Sequence, residues 1–186
     1  MKIFIKNMVC ARCISAVSDI FDKAGIKIKS VSLGEVEIES GVSDEDLCTV
    51  EKHLEETGFE RIRDSARQLV EKIKTLIITK ISGLDIDDNF LLSEFLSSAF
   101  HKEYSSLSKT FSQNETVTLE QFFILQKIEK VKELLLYNEL TLTEMAGKLG
   151  YKSVQHLSSQ FRSSTGFTPT EFKKLKTHHR KPLDQV

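Results

Sequence analysis

The sequence predicts an α+β protein in three stretches: a βαββαβ unit over residues 1–64, a connecting helix and linker over 65–88, and an all-α domain with a basic tail over 89–186. Three observations carry that reading. Short runs near the start alternate apolar and polar residues with the period of a strand. Runs with helical spacing separate them. From Asn89 onward no such alternation occurs, while helix-start patterns recur.

In order, KIFIKNM alternates into a first strand. Arg12 to Ala24 then places Ile14, Val17, Ile20 and Phe21 on one helical face, and Gly25 stands where a helix ends. IKIKSVSL and EVEIES alternate on either side of Leu33-Gly34, the pattern of a hairpin. Ser43 followed by Asp44, Glu45 and Asp46 supplies a cap and an acidic first turn that suits the positive end of a helix dipole. Leu47, Val50 and Leu54 form that helix's apolar face, Gly58 stops it, and FERIRD closes as a fourth strand. The order βαββαβ gives a small ferredoxin-like sandwich.

Residues 65–82 read as one amphipathic helix with a wide apolar stripe of Leu69, Val70, Ile73, Leu76, Ile77 and Ile81. Two readings of the stripe stay open: cover by the domains on either side, or a homodimer seam. Gly83 and the acidic residues Asp85, Asp87 and Asp88 read as a linker. Beyond it, Thr118 with Gln121, Thr141 with Glu144 and Thr168 with Glu171 each fit the capping box, in which side chain and backbone of the first turn bond reciprocally. Pro169 occupies the first helical position after Thr168, where a missing N–H costs nothing.

Composition bounds the function. A chain of 186 residues, 40% hydrophobic and 28% charged, has the makings of two small cores and not of a disordered protein. No apolar run reaches the length of a membrane span and no leader-like segment opens the chain, so the expectation is a cytoplasmic protein without membrane contact. Cys10, Cys13 and Cys48 are too few for a disulfide framework. The net charge of −1 hides an asymmetry: from Lys148 to Lys181 eight basic residues face Glu171 alone. Such an excess is a solvated tail or a face that neutralises phosphates.

LTLTEMAGKLGYKSVQHLSSQF decides between them, because it has helix-turn-helix spacing. Met145, Ala146 and Leu149 form the inner face of one helix, Gly150 permits the left-handed turn, and Ser153 caps a second helix with Leu157 and Phe161 inward. That turns Val154, Gln155, Ser158, Ser159 and Arg162 outward, while His156 is expected to face inward. The run from TEMAGKLGYKSVQHLSSQF through RSSTGFTPTEFKK resembles the signature of the AraC/XylS family of bacterial transcription regulators, in Gly150-Tyr151, Phe161-Arg162, Gly166, Thr168-Pro169 and Phe172. The likeness continues upstream through LSEFLSSAFHKEYSSLSKTFSQ and EQFFILQKIEKVKELLL and spans roughly residues 89–176.

The resemblance implies two recognition helices reading one site on double-stranded DNA. The base-facing candidates are Ser105, Ser108 and Lys109 in the first helix-turn-helix and Val154, Gln155, Ser158 and Ser159 in the second. Gln155 suits adenine and Lys109 suits guanine acceptors. Lys152, Arg162 and Lys173 are the phosphate-contact candidates. Ser159 departs from the arginine many members carry there. No catalytic residue is expected, and an enzyme is not.

The first 64 residues resemble a heavy-metal-associated domain through Met8-Val9-Cys10-Ala11-Arg12-Cys13 and LEETGFE. Cys10 and Cys13 are the metal-ligand candidates: thiolates at a helix N-terminus are favoured by its dipole, and soft sulfur selects Cu(I) or Zn(II). Two sulfurs suit Cu(I), whereas zinc needs two further ligands. Met8 is the expected prop below the loop and Phe59 its cover. Redox exchange and a pair retained only for assembly remain alternatives, and Cys48 reads as a small buried hydrophobe. The function expected is a DNA-binding transcription regulator responsive to a soft metal; the alternative is a metallochaperone or adaptor whose helical domain binds no DNA.

Overall fold

The computed structural model describes residues 1–39, 41–175 and 183. It comprises two compact units, Met1–Thr75 and Leu76–Val186. In the first, β1 (Lys2–Lys6), α1 (Ala11–Lys23), β2 (Ile28–Ser32), β3 (Glu35–Ile38), α2 (Asp44–Glu56) and β4 (Glu60–Ile62) follow in the anticipated order. The strands form one antiparallel sheet in the order β2-β3-β1-β4, with Ile3 opposite Val36 and Ile5 opposite Arg61.

Strand alternation sends Ile3 and Ile5 to one face of the sheet. They join Val36, Ile38, Val17, Phe21, Val50 and Leu54 in one buried cluster, so α1 and α2 share that face. Phe4 points to the other side, where the Lys72 ammonium of α3 (Ser65–Ser82) stands 4.5 Å from its ring centroid. Ser43 caps α2 by accepting from the Asp46 N–H, and Gly34, at φ 80°, makes the hairpin turn.

The division between units falls inside α3. Val70 and Ile73 of its stripe are buried in the first unit, and Ile77 and Ile81 in the second. After α3, the second unit contains α4 (Leu92–Phe100), α5 (Tyr104–Asn114), α6 (Leu119–Tyr137), α7 (Leu142–Lys148), α8 (Val154–Thr165) and α9 (Pro169–Lys174). All three capping boxes form, with bonds running both ways at Thr118, Thr141 and Thr168. The central α6 touches α5, α8 and α9. Phe122 on α6 packs against Phe111 of α5 with ring centroids 5.4 Å apart, and Phe161 of α8 meets Phe172 of α9 at the same spacing.

Two expectations need correction here. The acidic stretch read as a linker is anchored: Ile86 is buried and forms a parallel bridge with Leu149, its N–H donating to the Lys148 carbonyl at 3.1 Å. Cys48 is exposed, not buried, because it lies one residue, or about 100° of helix, beyond the inward Leu47. No helix among the described residues is long and apolar enough to cross a membrane.

Candidate nucleic-acid interface and cysteine pair

The turn of each helix-turn-helix contains a reversal in the left-handed region: His101, at φ 51°, ends α4, and Gly150, at φ 66°, follows α7. The helices after those turns repeat one pattern. Over 104–114 and 154–164 the order of exposed, half-buried and buried positions is the same residue for residue, fifty positions apart. Leu107 and Phe111 are buried in α5, as Leu157 and Phe161 are in α8. Ser105, Lys109 and Ser112 are therefore exposed where Gln155, Ser159 and Arg162 are exposed in the other copy.

Most of the candidate residues lie on these outward faces. Ser105, Lys109, Gln155, Ser159, Lys152, Arg162 and Lys173 are exposed, while Ser108, Val154 and Ser158 are half-buried at the flank of their helices. Lys173 donates to the Asn138 side-chain oxygen, which fixes its ammonium at the end of α6. Lys176, Arg180 and Lys181 of the basic tail, and His178 and His179, lie outside the described residues.

His156 corrects the sequence expectation: it is exposed, not inward. Leu157 and Phe161 set the centre of the buried arc, and His156 falls about 100° round from Leu157. Its ring stands edge-on to Tyr151, with centroids 5.3 Å apart. Its N–H donates to Ser153 Oγ at 3.1 Å, the cap that starts α8. The equivalent exposed position in α5 is Ser106.

Both helices are braced on α6 by a tyrosine. At the start of α5 the Tyr104 hydroxyl donates to Glu120 Oε1 at 2.5 Å. Burial, then that bond to a carboxylate, pushes the phenol well above its ordinary range, so it stays protonated. The same bond holds the Glu120 carboxyl below its usual value. At the entrance to α8, Tyr151 is buried, and its hydroxyl donates to Gln160 Oε1 at 2.8 Å. Beneath it lies Lys127 of α6, with Nζ 3.7 Å from the Tyr151 ring centroid and 5.3 Å from that of Phe123. Burial alone lowers the Lys127 ammonium to about 8. Among the described residues no carboxylate is within ion-pair distance of it, so the two rings are its partners. Sequence reading missed both braces, since each joins residues too far apart for local periodicity to relate.

At the start of α1, Cys10 is the cap residue and Cys13 sits in the first turn, its N–H donating to the Cys10 carbonyl at 3.0 Å. The two Sγ atoms are 3.5 Å apart. Burial pushes the Cys10 thiol up, but hydrogen bonds from the Cys13 N–H, the Cys13 thiol and the Arg12 N–H, with the Arg12 charge, outweigh it and hold it below its ordinary value. Met8 is buried below the loop, and Phe59 is buried beside Gly58. Asn7, itself at φ 71°, donates from Nδ2 to the Gly58 carbonyl at 2.8 Å and ties the loop to the end of α2. Among the described residues no group of three or more His, Cys, Asp or Glu is placed to share a metal ion, so at this loop those residues offer two sulfurs and no four-ligand zinc set.

Comparison with known proteins bears on the second unit. Residues 96–175 match the model of a helix-turn-helix domain family. The chain is 30% identical over 69 residues to the xylose operon regulatory protein of Escherichia coli, a match covering 37% of this chain and only 18% of that protein. The C-terminal domain of AraT, a response regulator from Geobacillus stearothermophilus, has a similar fold: TM-score 0.50, 21% identity, 60% of this chain and 93% of that one. The C-terminal domain of a two-component response regulator from Fusobacterium nucleatum aligns at TM-score 0.48 and 28% identity, over 55% of this chain and 99% of that one. These matches are to regulators and a helix-turn-helix domain, not to enzymes. The helix-turn-helix match, over residues 96–175, does not reach residues 1–64.

Proposed function

We propose that the chain is a sequence-specific DNA-binding transcription regulator. The observation that carries the reading is the repeated burial pattern of α5 and α8, which turns two equivalent polar faces outward from one braced scaffold. A helix in the major groove reads base edges with outward side chains, and phosphate contacts set its register. Ser105 and Lys109 on α5 and Gln155 and Ser159 on α8 are the base-facing residues of this reading. The half-buried Ser108, Val154 and Ser158 lie at the groove edge. Lys152, Arg162 and Lys173 hold phosphates, and their charges make affinity fall steeply with salt. The AraC/XylS-type match over 96–175 supports the same conclusion.

For the first unit we propose a ferredoxin-like, heavy-metal-associated module acting as the sensing part. The sheet order β2-β3-β1-β4, with both helices on one face, supports the fold. The donor chemistry fits a soft monovalent ion: two convergent sulfurs, one with a lowered pKa, above a buried methionine. Cys10 and Cys13 would hold Cu(I); zinc would require ligands from elsewhere. A bound ion would supply a rigid cross-link between the loop and the first turn of α1. Asn7 and Gly58 already fix the loop's other side.

The test is selection of duplexes from a random-sequence pool, followed by affinity measurement against salt and Cu(I), for the wild type and a Cys10→Ser/Cys13→Ser variant. The reading predicts sub-micromolar, strongly salt-dependent binding that Cu(I) alters in the wild type alone. Weak, salt-insensitive binding to every duplex is the outcome for a protein-binding adaptor and would overturn the regulator reading. Equal responses of both proteins at every metal level would leave regulation standing and remove metal sensing.

A further inference from the structure

The turn that launches α8 is held by a segment that precedes both helix-turn-helix motifs. Leu84, at φ 54°, redirects the chain after α3, and residues 85–88 then run against the end of α7. Ile86, 3% exposed, pairs with Leu149, one residue before the left-handed Gly150. The approach is close: a Cβ placed on Gly150 would lie 2.5 Å from the Asp87 carbonyl oxygen and 2.6 Å from Ile86 Cγ2. On the other side of the turn, Tyr151 rests on Lys127 of α6. The strap is fastened to the last turn of α3 as well. Lys80 Nζ donates to the Asp85 carbonyl at 3.0 Å and pairs with its carboxylate at 3.0 Å, while standing 5.8 Å from the Phe90 ring centroid.

We propose that Ile86, seated under Leu149 and Gly150, is a positioning residue for α8, and that the 84–88 strap gives α3 selective control over the second DNA-reading helix. The inference rests on the DNA-binding reading above and adds which reader is controlled. Ile86 touches no DNA in this account. It fixes the angle at which the chain leaves Gly150, and Ser153, three residues on, starts the reader. The His101 reversal that precedes α5 has no such bridge among the described residues, because Ile86–Leu149 is the one isolated bridge there. Motion of α3 is therefore delivered to the α8 half of a DNA site.

The experiment uses the full chain and the duplex that the wild type selects from a random-sequence pool. Hydroxyl-radical footprints and affinities are compared for wild type, Ile86→Ala, Ile86→Val and Lys80→Gln, with urea unfolding measured on each. Ile86→Ala is expected to bind about 10-fold more weakly, with protection lost over the α8 half and kept over the α5 half. Ile86→Val, which keeps a branched side chain on the bridge, should restore the wild-type footprint. Lys80→Gln leaves the buried bridge intact and remains decisive should Ile86→Ala not fold; it should weaken the α8 half selectively, by about 3-fold. Loss spread equally over both halves, or unchanged footprints from folded Ile86→Ala and Lys80→Gln proteins, would overturn the inference. A wild type that selects no duplex at all would remove the DNA-binding reading, and this inference with it.

Discussion

Lys127 makes a quantitative prediction about the scaffold beneath the second reader. Its ammonium is buried over Tyr151 and Phe123, and burial takes it from an ordinary 10.5 to about 8. A depression of that size corresponds to roughly 3 kcal/mol of desolvation cost at neutral pH. The two ring contacts return about 1–2 kcal/mol. Lys127→Met keeps much of the volume and removes the charge, so the variant should be more stable than the wild type by about 1–2 kcal/mol at pH 7. The sign with pH follows from which state holds the proton. Below about 8 the lysine is charged in both states and the cost is present in full. Between about 8 and 10.5 the folded state has released its proton while the unfolded chain retains it, so wild-type stability rises with pH. Through that window the wild type gains roughly 3 kcal/mol, so the gap should close and then reverse in favour of the wild type. Urea unfolding of both proteins, followed by circular dichroism at pH 7 and pH 10, measures it. A variant less stable than the wild type at pH 7, or a gap that does not change with pH, would refute the reasoning.

Other predictions follow from the interface. Lys109→Ala should lower the slope of log affinity against log salt by about one unit if its ammonium reaches a phosphate, and relax selectivity at one base if it reads guanine; titration against the selected duplex and its point variants separates these. Thr141→Ala removes the cap of α7 and should cost about 1 kcal/mol in urea unfolding. Tyr104→Phe loses the bond to Glu120 and should lower stability by about 1 kcal/mol, with weaker protection over the α5 half of the footprint. Cys10→Ser/Cys13→Ser should lower stability by less than about 1 kcal/mol, since Cys10 is exposed and Cys13 only half-buried, while losing stoichiometric Cu(I) uptake in a competition titration.

The sequence disclosed what is local. Period-two alternation marked the strands, and the pairs Thr118–Gln121, Thr141–Glu144 and Thr168–Glu171 marked three helix starts that the structure caps by those same bonds. Leu157 and Phe161, four apart, located the buried side of α8. The expectation that His156 faces inward fails because it lies about 100° round the helix from Leu157, on the exposed side. Cys48, next to the buried Leu47, is exposed for the same geometric reason. Asp85 to Asp88 looked like a linker because its charges dominate, yet Asp-Ile-Asp alternates as a strand does, and Ile86 is the residue the fold buries. Nothing local announces that Lys127 lies under Tyr151 or that Tyr104 reaches Glu120, since these contacts exist only once the helices pack.

The central claim is that α5 and α8 read two segments of a single duplex. A hydroxyl-radical footprint of the full chain on its selected duplex tests it most directly. The account predicts two protected patches about one helical turn, or roughly 10 base pairs, apart. Gln155→Ala should weaken protection of one patch and Lys109→Ala of the other. A single patch, or two patches that both variants leave untouched, would contradict it.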